Sequence, residues 1–164
     1  MFDIVLITES WLKPTYPDSV LIANSPNYSV FRKDRTDSRG GGVCILTKNS
    51  SIKAIKVVID GKYNQLELLC IDIVGNQYPV RVILGYRPPC RDNDAFDIQC
   101  TKQFIDSLIS LCNVDSSIVI AGDFNFPNID WTNLQFAVDD TCCSSLFSIF
   151  VKRFCFSQLV CEPT

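Results

Sequence analysis

Along most of the 164-residue chain, apolar and polar positions form short runs of strand type, and only two stretches carry a helical period. Phe2-Asp3-Ile4-Val5-Leu6-Ile7 is β-branched-rich and predicts a buried strand. Further strands are predicted over 28–31, 43–46, 52–59, 65–73 and 80–86, then from Ile118 to Gly122, with a last short one over 156–160. Asp60-Gly61 and Gly75-Asn76 mark turns between them. Arg87-Pro88-Pro89 forbids the strand ending at Tyr86 from continuing. Phe104, Ile105, Leu108, Ile109 and Cys112 recur at helical spacing, behind candidate caps in Asp92-Asn93-Asp94. Residues 144–154 are apolar nearly all round, as in a buried second helix. Strands in series, short turns and two helices predict a β-rich mixed α/β layer fold with strands packed face to face. The chain is one domain's length, and it shows no internal repeat, linker or low-complexity tract.

Polar residues punctuate three of these strand ends. Ile118-Val119-Ile120-Ala121 stops at Gly122, and Asp123 and Asn125 follow one residue apart. On an extended backbone, residues i and i+2 point to one side, so a carboxylate and an amide face one spot. Such a pair suits a water, a phosphate oxygen or a divalent cation. Taken alone, Gly122-Asp123-Phe124-Asn125 is more simply a strand running into a turn. Glu9 stands past the first strand and Tyr86 with Arg87 at another strand end. An exposed charge and a rim aromatic are the plain alternatives there. The recurrence gives the pattern weight, because catalytic groups gather on loops at sheet edges.

Composition narrows the chemistry. The chain has no histidine, which excludes Ser-His-Asp and Cys-His nucleophile schemes within it. Acid–base work must rest on carboxylates, Tyr, Lys, Cys or metal-bound water. Lys plus Arg is 15 against 18 for Asp plus Glu, so no chain-wide attraction to nucleic acid exists. Contact with DNA must then come from a bound metal or a local basic patch. Residues 32–39 carry Arg32, Lys33, Arg35 and Arg39, and lead into Gly40-Gly41-Gly42. The plain reading is a hairpin turn; the functional one is a loop on a nucleic-acid backbone. Nine cysteines without a Cys-x-x-Cys pair read as reduced, mostly buried apolar residues, and zinc-type spacing is missing. No apolar run is long enough for a bilayer, and Met1-Phe2-Asp3 lacks the basic start of a secretory signal. The expectation is an intracellular chain without a membrane anchor; nothing in the sequence fixes its oligomeric state.

Several stretches resemble, in order, the endonuclease/exonuclease/phosphatase superfamily, and within it the endonuclease domains of non-LTR retrotransposons. They are Thr8-Glu9-Ser10-Trp11-Leu12, Arg39-Gly40-Gly41-Gly42-Val43, Gly85-Tyr86-Arg87-Pro88-Pro89 and Gly122-Asp123-Phe124-Asn125 with Pro127, Asp130 and Trp131. Ser157-Gln158-Leu159-Val160 through Pro163-Thr164 is similar to a stretch after the family's late helix. The resemblance implies an α/β, four-layer sandwich of two packed mixed β-sheets flanked by helices. It implies a Mg²⁺- or Mn²⁺-dependent phosphodiesterase that nicks DNA, working in the nucleus. By motif match, Glu9 would hold the metal, and Asp123 would orient or deprotonate the attacking water. Asn125 and Tyr86 would hydrogen-bond the scissile phosphate, with Arg87 and Arg39 as further substrate contacts. The family's earlier strand and helix and its later strands, with a second Asp and a Ser-Asp-His motif, have no counterpart here. Residues 1–164 are therefore expected to form an incomplete domain with weak or no nicking of its own. The alternatives are a non-catalytic remnant that binds nucleic acid or a partner and, less favoured, a phosphatase of the superfamily.

Overall fold

The computed structural model describes residues 2–23, 26–36, 38–75, 78–89, 94–129, 131 and 142–160. The chain divides into two compact units, one of Met1–Arg87 with Leu111–Phe124, the other of Pro88–Ser110 with Asn125–Thr164.

The first unit holds seven strands. β1 (Ile4–Thr8), β2 (Tyr28–Lys33) and β3 (Val43–Lys48) form an antiparallel sheet in the order β1-β3-β2. β4 (Lys53–Lys56), β5 (Glu67–Val74), β6 (Val80–Tyr86) and β7 (Ser117–Asp123) form a mixed sheet in that order, with only β6 and β7 parallel. The sheets pack face to face. Val43 and Ile45 of β3 meet Leu69, Ile71 and Ile73 of β5 and Val82, Leu84 and Tyr86 of β6. These are i, i+2 residues, so one face of each strand makes the core. Burying such side chains contributes roughly 1.5–3 kcal/mol each.

β1 and β7 form where the apolar runs predict them, but neither is buried as a central strand is. Every residue of β1 is half-buried, and Val119 of β7 is 41% exposed. Each lies at the edge of its sheet, so one flank has no ladder partner among the described residues. β4 is shorter than its apolar pattern. Val57 still donates to the Cys70 carbonyl at 2.8 Å, but Asp60 then caps a 3₁₀ turn, Gly61–Tyr63. A one-turn helix, α1 (Ser19–Ile22), interrupts the proline-punctuated stretch before β2.

The second unit holds most of α2 (Ala95–Cys112), whose last two residues fall in the first, and all of α3 (Cys143–Arg153). Of the predicted caps, Asp94 serves: its Oδ1 accepts from the backbone of Phe96 and Asp97 at 2.9 and 3.3 Å. The strand predicted over 156–160 does not form. α3 ends instead in a Schellman motif, with Cys155 at φ 54°, Cys155 N–H on the Lys152 carbonyl and Phe156 N–H on the Val151 carbonyl. The Phe150 and Phe156 rings lie 5.7 Å apart and complete that cap, so the run's first apolar residue is spent on the helix end. Asn76, Asp92, Asn93, Asp130, Pro163 and Thr164 lie outside the described residues.

Cys44, Cys70, Cys112, Cys142, Cys143 and Cys155 are free thiols. Burial pushes Cys70 up to about 12 and Cys44 and Cys112 up to about 11, so they stay protonated as small apolar groups. No helix among the described residues is long and apolar enough to cross a membrane.

Candidate active site

One row of the mixed sheet organises the site. Glu67 of β5 pairs with Tyr86 of β6, and Tyr86 with Asp123 of β7. Paired residues share a face, and Tyr86 belongs to the core between the sheets, so this row lines the mouth of that core. Tyr86 is 7% exposed, whereas the Asp123 side chain lies open to solvent. β1, from the other sheet, ends beside it and brings Glu9.

Glu9 is held by donors. Trp11 Nε1 donates to Glu9 Oε2 at 2.7 Å, and the Tyr86 hydroxyl and the Gly41 N–H lie beside this carboxylate. The Tyr86 hydroxyl beside it is the main reason the Glu9 carboxyl lies below the ordinary range, followed by Trp11. The same pairing, with burial and the Glu9 charge, pushes the Tyr86 phenol up to about 12. Glu9 is thus an anion and Tyr86 a neutral donor at neutral pH.

The backbone is forced to fit. Glu9 and Trp11 sit at φ 53° and 55°, in the left-handed region that ordinary side chains disfavour. The Gly-rich hairpin between β2 and β3 holds them there. Ser10 N–H reaches the Gly42 carbonyl at 3.0 Å, and Trp11 N–H the Gly41 carbonyl at 2.9 Å. A Cβ on Gly42 would stand 2.7 Å from Ser10 Oγ. Asn125 also lies in the left-handed region, at φ 49°, two residues past Asp123 and in the second unit. Strain of this kind collects at functional sites, where surrounding bonds over-determine it.

Two residues outside the sequence-based set complete the frame. Arg35 Nε donates to Glu67 Oε1 at 2.7 Å, its Nη2 reaches the same oxygen, and Gly42 N–H donates to Glu67 Oε2. The Arg35 guanidinium also lies 5.8 Å from the Tyr86 ring centre. Glu67 therefore ties the hairpin that clamps Glu9 to β5, the strand paired with Tyr86's β6. Its one sequence signal is a carboxylate within an apolar strand run, a place a charge avoids unless paired.

The basic stretch is largely spent inside the fold. Arg32 is bound by Asp34 and Asp18 and by the Tyr16 and Lys13 carbonyls. Arg35 is bound by Glu67. Arg39 is exposed, with its guanidinium 5.5 Å from the Trp11 ring centre. Arg87 is 6% exposed and donates from Nη1 to the Phe124 carbonyl at 3.2 Å, while its N–H reaches the Asp123 carbonyl at 2.9 Å.

The donor set can be tested against a divalent cation. Among the described residues no three acidic, Cys or His side chains converge, so no all-protein cage exists there. Mg²⁺ needs none, since it commonly takes one or two carboxylates, with waters and substrate phosphates filling its octahedron. An ionised, exposed Glu9 oriented by Trp11 and Tyr86 fits that mode.

A sequence profile of the Endonuclease/Exonuclease/phosphatase family matches residues 1–144. A search of curated protein sequences finds no match. The structure is similar to the endonuclease domain of TRAS1, a telomere-specific non-LTR retrotransposon, with TM-score 0.60 and 11% identity over 93% of this chain and 59% of that one. It is similar to an AP endonuclease from Archaeoglobus fulgidus, with TM-score 0.58 and 18% identity over 92% and 60%. It is also similar to D. rerio TDP2 complexed with single strand DNA product, with TM-score 0.54 and 20% identity over 80% and 51%. At these identities the likeness is one of fold. The chain spans 51% to 60% of the length of these three structures.

Proposed function

Because the chain belongs to the Endonuclease/Exonuclease/phosphatase family, we propose that its strand-end cluster is a divalent-metal-dependent phosphodiesterase site for DNA. The observation that carries this reading is the meeting of Glu9, Tyr86 and Asp123 at one mouth of the sandwich, with the Glu9 carboxylate held by Trp11.

In this reading Glu9 is the protein ligand of Mg²⁺ or Mn²⁺. When bound, such a cation supplies positive charge against the charge that develops on the phosphate. The chain's own residues do the rest. Trp11 and Tyr86 fix the Glu9 carboxylate. Asp123, open to solvent beside Tyr86, orients or deprotonates the attacking water. The Tyr86 hydroxyl, kept protonated, has one proton to give and turns it from Glu9 to a phosphate oxygen when substrate binds. Arg39 reaches the DNA backbone, while Arg87 braces the turn after β7. A DNA substrate places this work in the nucleus. With no histidine to share it, turnover by these 164 residues is expected to be slow. Losing one transition-state donor commonly costs about 100-fold or more.

The test is nicking of supercoiled plasmid by the full chain with Mg²⁺ or Mn²⁺. Slow nicking that Asp123→Asn and Glu9→Gln each reduce at least about 100-fold supports the reading. Nicking that survives both substitutions overturns it. No nicking with either metal, but retained DNA binding, favours a non-catalytic binding domain.

A further inference from the structure

Trp11 has no use in the core, yet it is fixed in place. It is 53% exposed, although burying an indole is among the most favourable contacts a fold can make. Its backbone is held left-handed at φ 55°, its N–H is bound to the Gly41 carbonyl, and its indole Nε1 is bound to Glu9. A tryptophan held rigid with its ring open to water serves something outside the core. Arg39, also exposed, lies over the ring. Gly40, at φ 86°, lies beside the ring, where a Cβ would be in ordinary contact, 3.6 Å from Cε2 and Cζ2.

We propose that Trp11 and Arg39 form a shelf for an unpaired nucleobase beside the scissile phosphate, a proposal that rests on the phosphodiesterase reading above. Every base has a π face, so an open indole takes any of them by stacking. The guanidinium that now lies on the ring pairs with the neighbouring phosphate once a base takes its place. Position fixes which nucleotide is meant. The indole edge is 2.7 Å from Glu9, so a base on the ring belongs to a nucleotide adjoining the phosphate held there. A paired base must first leave its stack, which costs energy that a single-stranded, mismatched or frayed site does not require. The shelf therefore selects DNA that is already open at the site of cleavage over fully paired duplex.

Binding without cleavage tests this. The full chain is titrated in Ca²⁺ with a labelled oligothymidylate and with the same backbone carrying abasic residues, by fluorescence anisotropy. The wild-type chain is expected to prefer the thymidylate about tenfold, the worth of one stacked base. Trp11→Phe keeps a ring but loses the N–H, and should retain the preference. Trp11→Leu loses the ring, and should bind the two oligonucleotides alike. Arg39→Ala should weaken the thymidylate more than the abasic strand and flatten the salt dependence of thymidylate binding by about one phosphate contact. Equal wild-type binding of the two oligonucleotides overturns the shelf, as does a preference that survives Trp11→Leu. A Phe variant that behaves like the Leu variant overturns it too, leaving the hold on Glu9 as Trp11's role. The plasmid assay separates the two ideas. Nicking that depends on Glu9 and Asp123 but shows no base preference removes the shelf alone. Base preference without nicking keeps the shelf as a binding site and removes the phosphodiesterase reading.

Discussion

β1 and β7 end alike in sequence: an apolar run, a polar residue at the exit, and a non-glycine residue in the left-handed region, Glu9 after β1 and Asn125 after β7. They are held by different means. The exit of β1 is clamped by hydrogen bonds, from Ser10 and Trp11 to the Gly-rich hairpin and from Trp11 to the Glu9 carboxylate, with the Tyr86 hydroxyl beside it. The exit of β7 is set by close backbone approach. Gly122 stands opposite Gly85, and a Cβ on Gly122 would fall 1.7 Å from the Gly85 carbonyl oxygen. The first clamp is electrostatic, so pH and charge substitutions reach it. The second is steric, so only a change of shape does. One strand end is thereby suited to hold an anion fixed, the other to bring a carboxylate into register with Tyr86.

The steric end should break hardest. Gly122→Ala puts a methyl into the Gly85 carbonyl at φ 143°, and neither backbone can yield without parting β6 from β7. A loss on the order of 4 kcal/mol is expected, read as the shift in urea midpoint. A loss below about 1 kcal/mol would show that the two strands slide apart freely.

On the clamped side the largest effect should come from Glu67→Ala, which strands the part-buried Arg35 and frees the Gly42 N–H. Chemical denaturation should show a loss of about 2–4 kcal/mol. Glu67→Asp should recover only part, because the shorter side chain cannot reach both partners. Gly42→Ala should cost less, about 1–2 kcal/mol, since the atom it meets is one side-chain hydroxyl, Ser10 Oγ, and not backbone, and the rest is the left-handed φ of 82°.

The smallest effects are titrations. Glu9 has a folded pKa below its ordinary value, so its linkage favours folding above pH about 4.5 and fades as pH falls through the folded value. Tyr86→Phe removes the leading donor, and the carbon-detected NMR midpoint of Glu9 should rise toward the ordinary range. Tyr86 has the opposite sign. Its raised pKa favours folding fully below pH about 10 and is lost as pH rises through about 12. Glu9→Gln should return phenolate formation, followed by absorbance, toward the ordinary tyrosine value. If neither midpoint moves in its partner's variant, the two side chains do not share a hydrogen bond.

The strands were legible in the chain because a β-strand records its burial with a period of two. Seven of the eight predicted strands form, and the exception, 156–160, fails because Phe156 serves the α3 cap. Of the candidate residues, Glu9, Tyr86 and Asp123 stand where apolar runs end, and the structure brings these three together. The basic loop was read less well. Its charge count gave no sign that Asp18 and Glu67, at sequence distances of 14 and 32, would hold Arg32 and Arg35.

Residue order along the chain set which stretches are extended, where each stops, and which polar side chains stand at those stops, since these depend on near neighbours. Tertiary structure alone decided that β1 and β7 are edges, that Glu67 and Arg35 brace the site, and that Trp11 is pinned beside Glu9 with its ring exposed. Those facts depend on partners brought together from distant parts of the chain, and hydrophobic periodicity carries no record of which strand lies beside which.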